Sequence, residues 1–244
     1  MLPSGVHYFP VAEPVMLALI VLFGVAVGIV ASRILRFASA TMGLGPRTML
    51  ALLLLSLLGS YVNIPVAYIP DREVTSATEI TYFGIRYVIP SVREWPPTQL
   101  TVNLGGAVIP TLLSLYLIVK NRLYGLSLAG IAIVALACHL IAKPEPGLGI
   151  AVPVFVPPLV TAVAAMLLSR RYAAPLAYAS GSLGTLIGAD LMNLDKIQGL
   201  GAPVASIGGA GTFDGIFLTG LLAVIYAGLF TARDEHASRQ AKRG

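Results

Sequence analysis

Two aspartates in glycine-rich surroundings are the side chains of this sequence best suited to chemistry. Asp190 ends the string Leu186-Ile187-Gly188-Ala189-Asp190, and Asp214 follows three glycines closely. Each lies in or beside a long apolar run, where an ionised Asp at mid-bilayer would cost roughly 2.5 to 3.5 kcal/mol. An acidic residue kept at such a place is a functional candidate, because a carboxylate in a low-dielectric surrounding can take up and release a proton.

Three further polar residues are expected at the same depth in the membrane as the aspartates. Asn63, Asn103 and His139 each stand at the end of an apolar run that, in the topology derived below, faces the outside. Together the five side chains could bind a small solute or an ion. The plainer interpretation puts each at the water interface, where an Asp near a helix start is an N-cap or dipole partner and His139 is a satisfied interfacial histidine.

The glycines before Asp214 strengthen the hypothesis of a site. Gly208, Gly209 and Gly211 permit positive φ and close backbone approach, which leaves bare N–H groups available to a cavity. Non-helical backbone at membrane depth is tolerated only where it lines water or packs on protein. Residues 194–211 could therefore form a re-entrant segment instead of a surface loop.

A secondary transporter or ion-coupled carrier is the function that these residues favour. Asp190 and Asp214 would bind a cation or proton, and Asn63 and Asn103 would contact the substrate. No cofactor is expected. The partners would be the lipid bilayer and a small solute or ion.

An intramembrane aspartyl protease is the main alternative, with Asp190 and Asp214 as the catalytic dyad that shares a proton and activates water. The Gly-x-Gly-Asp motif of the presenilin and prepilin-peptidase group is absent. A divalent metal site of Asp190, Asp214 and His139 is a third hypothesis, although their spacing is not a recognised ligand set. A structural or partner-binding scaffold is the fourth, because interfacial Asp and Gly can serve packing alone.

The composition excludes a water-soluble fold and several chemistries. The 244 residues are 57% hydrophobic and 11% charged, against roughly a quarter charged in soluble domains. The formal charge is +5, but the basic residues sit in short loops beside apolar runs, so they indicate topology and not nucleic-acid binding. The single cysteine, Cys138, excludes an internal disulfide and a multi-cysteine zinc or iron–sulfur site within one chain.

About seven membrane spans must position these residues, since one span needs about 20 mostly apolar residues. The first is retained, because Met1 to Pro14 lacks the positive charge of a cleavable signal peptide. The seven windows are 15–35, 48–69, 99–119, 124–142, 152–169, 173–192 and 213–231.

The basic residues orient the chain in the cell membrane with the N-terminus outside and the C-terminus in the cytoplasm. In that orientation eleven of the sixteen Lys and Arg residues face the cytosol. The long outer loop, 70–97, alternates β-branched or aromatic residues with polar ones around Gly84, which predicts a β-hairpin.

Short similar strings indicate an internal duplication. Asn103-Leu104-Gly105-Gly106-Ala107 resembles Ser206-Ile207-Gly208-Gly209-Ala210, and both precede predicted spans. Spans one to three and five to seven would then be parallel copies joined by span four. The predicted fold is thus a single all-α polytopic membrane domain, 1–244, with a possible 3+1+3 parallel repeat and a small outer hairpin.

Three strings together resemble an uncharacterised prokaryotic membrane protein family, domain-of-unknown-function family 1614. They are Val102 to Pro110, Leu186 to Asp190, and Ser206 to Phe217. The likeness runs from about Thr48 to Ala232. This resemblance implies a membrane protein and no particular activity.

Overall fold

The computed structural model describes residues 13–69, 73–82, 85–94, 97–145, 149–197, 202–209 and 219–226. These stretches are mostly helical. The α-helices are α1 (Glu13–Thr41), α2 (Pro46–Gly59), α3 (Ile109–Asn121), α4 (Tyr124–Ile141), α5 (Val156–Leu168) and α6 (Ala173–Thr185), and residues 219–226 are also helical. Two π-helical segments, Leu104–Val108 and Leu186–Asp190, and a 3-10 helix, Leu191–Lys196, adjoin α3 and α6.

Seven strands accompany the helices in the described stretches. They are β1 (Asn63–Ile69), β2 (Glu73–Tyr82), β3 (Ile85–Glu94), β4 (Thr98–Asn103), β5 (Lys143–Glu145), β6 (Gly149–Ala151) and β7 (Val204–Ile207). The hairpin predicted for the long loop is present: β2 and β3 pair antiparallel from Glu73↔Glu94 to Tyr82↔Ile85. A second, short hairpin joins β5 to β6.

A three-stranded sheet in the order β1-β4-β7 corrects the all-α expectation. β1 and β4 pair antiparallel, with Asn63 opposite Asn103. β4 and β7 pair in parallel, with Val102 opposite Ile207. The sheet thus places the two strings that resemble each other, at Asn103 and at Ser206, on neighbouring strands.

Helix α6 lies at the centre of the helical part. It packs against α3, α4 and α5, and all of its side chains except that of Leu183 are buried. Its sequence is rich in Ala, Ser and Gly, the small residues that let membrane helices approach closely. This explains why a helix of modest hydrophobicity occupies the interior: it faces other helices on every side.

A cluster of larger apolar side chains surrounds Tyr178 of α6. Tyr178, Leu117 of α3, Met49 of α2 and Val224 of the last helical stretch are all fully buried and pack together. Large apolar residues also cover the outer surface, and Leu167 of α5 is 82% exposed. Exposed apolar surface of that extent marks contact with lipid or with another protein.

Two of the described helices are long and apolar enough to cross a membrane: Leu104–Asn121 and Tyr124–Ile141. A third candidate exists if Ser32–Thr41 and Pro46–Gly59, which meet at 110°, count as one broken span. Val156–Leu168 is apolar but shorter. These helices indicate membrane association, in agreement with the composition.

The limits of several predicted windows differ from those of the helices in the structure, and strands explain most of the difference. The second window, 48–69, contains most of α2, which starts two residues earlier at Pro46, and then β1, because Pro65 cannot donate a helical hydrogen bond and its neighbours pair with β4. The third window, 99–119, likewise begins as β4 and becomes helical at Leu104. Of the seventh, 213–231, only residues 219–226 are described.

The remaining windows agree more closely with the helices. The fourth, 124–142, matches α4 to within one residue. The fifth, 152–169, contains the shorter α5, which starts at Val156 with Pro157 and Pro158 in its first turn. The sixth, 173–192, holds α6, the second π-helical segment and the start of the 3-10 helix.

Gly188→Ala should destabilise the protein, because a Cβ there would overlap the carbonyl oxygen of Ala135 and lie 2.6 Å from the Ala135 Cα. The obstacle is backbone of α4, which cannot move aside easily, so we expect a loss of about 1–3 kcal/mol. Gly125→Ala is the matched control, since nothing lies within 4 Å of its added Cβ.

Thermal unfolding can be followed with a thiol-reactive dye, because Cys138 is fully buried in the folded protein. The melting temperature of the Gly188→Ala variant should fall by several degrees. That of Gly125→Ala should stay unchanged or rise slightly, because alanine favours helix. Equal melting temperatures for both variants would contradict the close approach of α4 to the second π-helical segment.

Candidate functional site

Asn103 is the buried centre of a group of hydrogen bonds where β4 ends. Its Oδ1 accepts a hydrogen bond of 2.8 Å from the Gly106 amide and so caps the first π-helical segment. Its Nδ2 donates to the Ser60 carbonyl oxygen at 2.7 Å and to Asn63 Oδ1 at 3.0 Å. At 2% exposure, the side chain has its hydrogen-bonding groups satisfied by protein, as a buried amide requires.

Asn63 and Ser206 complete this group, which we call the amide cluster (Asn63, Asn103 and Ser206). The Ser206 hydroxyl donates to Asn63 Oδ1 at 2.6 Å. Asn63 Oδ1 therefore accepts hydrogen bonds from residues of two other strands. Asn63 is exposed and Ser206 is partly exposed, so these two members of the cluster are accessible from the surface. The buried Asn103 holds Asn63 in place through its hydrogen bond.

Asp190 ends the second π-helical segment and contacts the turn that follows β7. Its Oδ2 accepts a hydrogen bond of 2.7 Å from the Gly208 amide. Gly208 has a φ of +76°, and a Cβ there would lie 2.6 Å from the Ala107 nitrogen and 2.7 Å from the Gly106 carbonyl carbon. Only glycine satisfies both constraints, because L side chains rarely adopt this φ. The turn is therefore held between the two π-helical segments.

Asn193 fixes the end of the second π-helical segment. Its fully buried side chain donates from Nδ2 to the carbonyl oxygens of Gly188 and Ala189, at 2.8 and 2.9 Å. Lys196 Nζ donates to Asn193 Oδ1 at 2.7 Å. These bonds satisfy carbonyls that a helix end would otherwise leave unpaired.

Asn193 was missed as a site residue by reasoning from sequence. An Asn just after an apolar helix is a known C-terminal signal, so the pattern could have indicated a capping role. Lys196, the basic residue nearest to Asp190 in the sequence, donates to Asn193. Among the residues that the structure describes, the Asp190 carboxylate forms no ion pair, and the Gly208 amide is its hydrogen-bond donor.

The structure thus brings together several of the predicted site residues. Asn63 meets Asn103 directly, and Gly208 meets Asp190. The Gly209 amide donates to the Ser206 carbonyl oxygen at 3.0 Å and closes the turn. Within the described part of the glycine-rich string, Gly208 therefore supplies a positive φ and a close backbone contact.

Two predicted residues, Gly211 and Asp214, lie outside the residues that the structure describes. Residues 194–211, considered as a re-entrant segment, contain the end of the 3-10 helix and strand β7 in their described part. Re-entry into the membrane stays a prediction.

His139 lies in the last turn of α4 and forms no hydrogen bond to the amide cluster or to Asp190 within the described stretches. Its Nδ1 is buried and has no hydrogen-bond partner there. The neighbouring Cys138 Sγ donates to Thr185 Oγ1 at 3.8 Å. Among the described residues, no group of three or more His, Cys, Asp or Glu side chains could hold a metal ion.

Chemically, the site combines a carboxylate with a neutral hydrogen-bonding surface. An ionised carboxylate offers about four acceptor positions, and the Gly208 amide uses one of them. Among the described residues no other hydrogen-bond donor occupies the remaining positions, which could accept a proton or contact a cation. The exposed side of the amide cluster offers amide and hydroxyl groups, which suit a polar solute.

The fold and the site together define a mostly helical, membrane-associated protein with a sheet at one end of its bundle. Residues 57–226 match the model of the family described as "Protein of unknown function (DUF1614)". The chain belongs to this family, as the resemblance predicted, and the match covers both the amide cluster and Asp190. No curated protein and no solved structure matches the chain.

Asn103→Ala should destabilise the protein strongly, because it leaves the Gly106 amide and the Ser60 carbonyl oxygen buried without their partner. We expect a loss on the order of 2–4 kcal/mol from these combined effects. Asn121→Ala is the control: Asn121 also donates to one backbone carbonyl, that of Leu117 at 2.9 Å, but lies in a partly buried helix end.

The Asn121→Ala variant should lose about 1 kcal/mol or less. Urea or thermal unfolding in detergent, followed by the labelling of Cys138, measures both variants. If the Asn103→Ala variant is as stable as the Asn121→Ala variant, the amide cluster does not hold the sheet on the bundle.

Proposed function

We propose that this protein is a small secondary transporter or ion-coupled carrier in which Asp190 is the proton or cation site. The observation that carries the proposal is the Asp190 carboxylate, which is partly buried, anchored by one backbone amide and without an ion pair among the described residues. A membrane protein retains such a group at a cost, so a functional role is the default inference.

The backbone around Asp190 supports this proposal. π-helical segments are rare, and they occur frequently at functional sites. Here two of them, Leu104–Val108 and Leu186–Asp190, flank one glycine turn. Broken or irregular helices that meet at a substrate site are also typical of secondary transporters.

We assign the solute-binding role to the accessible part of the amide cluster. Asn63 and Ser206 present amide and hydroxyl groups on the exposed side, and Asn103 positions them. The Ser206–Gly208 backbone joins this surface to the Asp190 carboxylate. A solute at the amide cluster and a cation at Asp190 would therefore act on the same turn, which is the arrangement that coupling requires.

Replacement of the carboxylate tests the coupling role directly. The full-length protein is reconstituted into liposomes that contain a pH-sensitive or a sodium-sensitive dye, and classes of small polar solutes are added outside with and without a sodium gradient. We expect at least one class to drive proton or sodium movement in the native protein. Asp190→Asn should reduce that movement at least tenfold, because the amide cannot ionise.

Asp195→Asn is the matched control, since Asp195 is a nearby carboxylate that is exposed on the 3-10 helix. It should transport at the native rate. Native transport in the Asp190→Asn variant would exclude Asp190 as the coupling site. Specific cleavage of added membrane peptides, lost in both Asp190→Asn and Asp214→Asn, would instead favour the aspartyl protease.

We also propose a multi-pass topology of about seven spans, with the N-terminus outside and the C-terminus in the cytoplasm. The distribution of basic residues supports it. The possible 3+1+3 repeat gains support from the parallel pairing of β4 and β7, because corresponding strands of parallel copies run in the same direction. Helical residues follow each of these two strands.

Cysteine labelling tests this orientation. The buried Cys138 gives little background, so a cysteine introduced by Ser91→Cys or by Ser238→Cys can be followed alone. A membrane-impermeant maleimide should label the Ser91→Cys variant in intact cells, and label the Ser238→Cys variant only after permeabilisation. The reverse pattern would show that the orientation is inverted.

A further inference from the structure

An apolar groove runs along the outer surface between α4 and α5. Its volume is about 460 Å³, and its lining includes Ile133 of α4 and Leu159, Val163 and Leu167 of α5. These four side chains are 44% to 82% exposed, so the groove is open to the surroundings. Ala164, which is buried, also lines it.

The groove has the length of one lipid leaflet. Leu159 and Leu168, which mark its extent along α5, are separated by a helical rise of roughly 14 Å. Half of the hydrocarbon core of a bilayer is about 15 Å thick. An acyl chain that entered from one side would therefore fill the groove and end near the middle of the membrane.

Two exposed arginines lie at one end of the groove. α5 ends at Leu168, a lining residue, and Arg170 and Arg171 follow after a single serine. The Arg171 guanidinium also lies 5.3 Å from the Tyr172 ring centroid. The sequence has no Asp or Glu between Glu145 and Asp190, so the charged side chains of α5 and of the segment that joins it to α6 are all positive.

We propose that the groove binds an anionic phospholipid, with one acyl chain along α5 and the headgroup phosphate at Arg170 and Arg171. Guanidinium groups bind phosphate through charge-assisted, often bidentate hydrogen bonds. Basic residues at the membrane surface also select anionic lipids over neutral ones. The proposal requires only that α4 and α5 contact the bilayer, and it is independent of the transport role of Asp190.

The test measures the melting temperature of the purified full-length protein in non-ionic detergent, again by the labelling of Cys138. Dioleoylphosphatidylglycerol is the anionic probe, and dioleoylphosphatidylcholine is its neutral counterpart with the same chains. A saturating ligand that binds only the folded state should raise the melting temperature by on the order of 5 °C. The neutral lipid should raise it much less.

The headgroup contact is tested by the double variant Arg170→Gln/Arg171→Gln, which should lose most of the rise caused by phosphatidylglycerol. Arg47→Gln removes another exposed positive charge at a different helix end and should retain the rise. Should the double variant fail to fold, Arg171→Gln alone replaces it. An equal rise with both lipids, or an equal loss in the Arg47→Gln variant, would overturn the proposal.

The groove itself is tested by Val163→Trp, which fills it from an exposed position. Val119→Trp is the control, because Val119 is similarly exposed on α3 and is not a lining residue. Only Val163→Trp should abolish the rise. An undiminished rise in that variant would place the lipid elsewhere and overturn the proposal.

Discussion

The hydrogen bond from the Gly208 amide to the Asp190 carboxylate joins the two parts of this protein. Asp190 belongs to the helical part, through α6 and the π-helical segment that extends it. Gly208 belongs to the sheet, at the end of β7. The bond forms only because a glycine can adopt the required φ and approach the Gly106–Ala107 backbone. Together with the pairing of β7 with β4, this junction fixes the turn that follows Ser206.

The small residues of α6 impose the second constraint on the same junction. Gly184 and Gly188 allow α4 to approach α6 and its π-helical extension so closely that a methyl group at either position would overlap Val134 or Ala135. Such packing, and not apolar burial alone, drives helix association inside a membrane. The close packing of α4 on Gly184 and Gly188 also fixes where the C-terminal end of α6 lies relative to α4. The carboxylate of Asp190 is consequently presented at the sheet.

The parts of this fold that the sequence predicts are those encoded by neighbouring residues. α4 follows from an uninterrupted apolar run, and the β2–β3 hairpin follows from alternation around Gly84. The sheet was missed because its partners are far apart in the chain: Gln99 of β4 pairs with Val204 of β7. Strands of four to seven residues beside apolar helices have the same hydrophobic pattern as helix ends.

The site residues also divide into those that neighbouring residues predict and those that depend on contacts between distant parts of the chain. Asn63 and Asn103 were expected at one level, and they do form a hydrogen bond, because both stand where an apolar run ends. The positive φ at Gly208 could be anticipated from the glycine-rich string, but its bond to Asp190 also depends on two π-helical segments, which no local pattern encodes. For Asn193 the sequence could have indicated a capping role, but its two partners, the carbonyl oxygens of Gly188 and Ala189, are identified only by the structure.

The nature of the Asp190–Gly208 bond makes a change of charge compatible with an intact fold. A carboxylate and a carboxylic acid both accept a hydrogen bond from an amide, so the junction persists when Asp190 gains a proton. The charged form binds more strongly, by roughly a factor of two for hydrogen bonds of this kind. Under the carrier proposal, proton or cation binding would weaken the hydrogen bond from the Gly208 amide to Asp190 without breaking it. Ser206 lies two residues from Gly208 and donates to Asn63, so that weakening would reach the surface to which the solute-binding role is assigned.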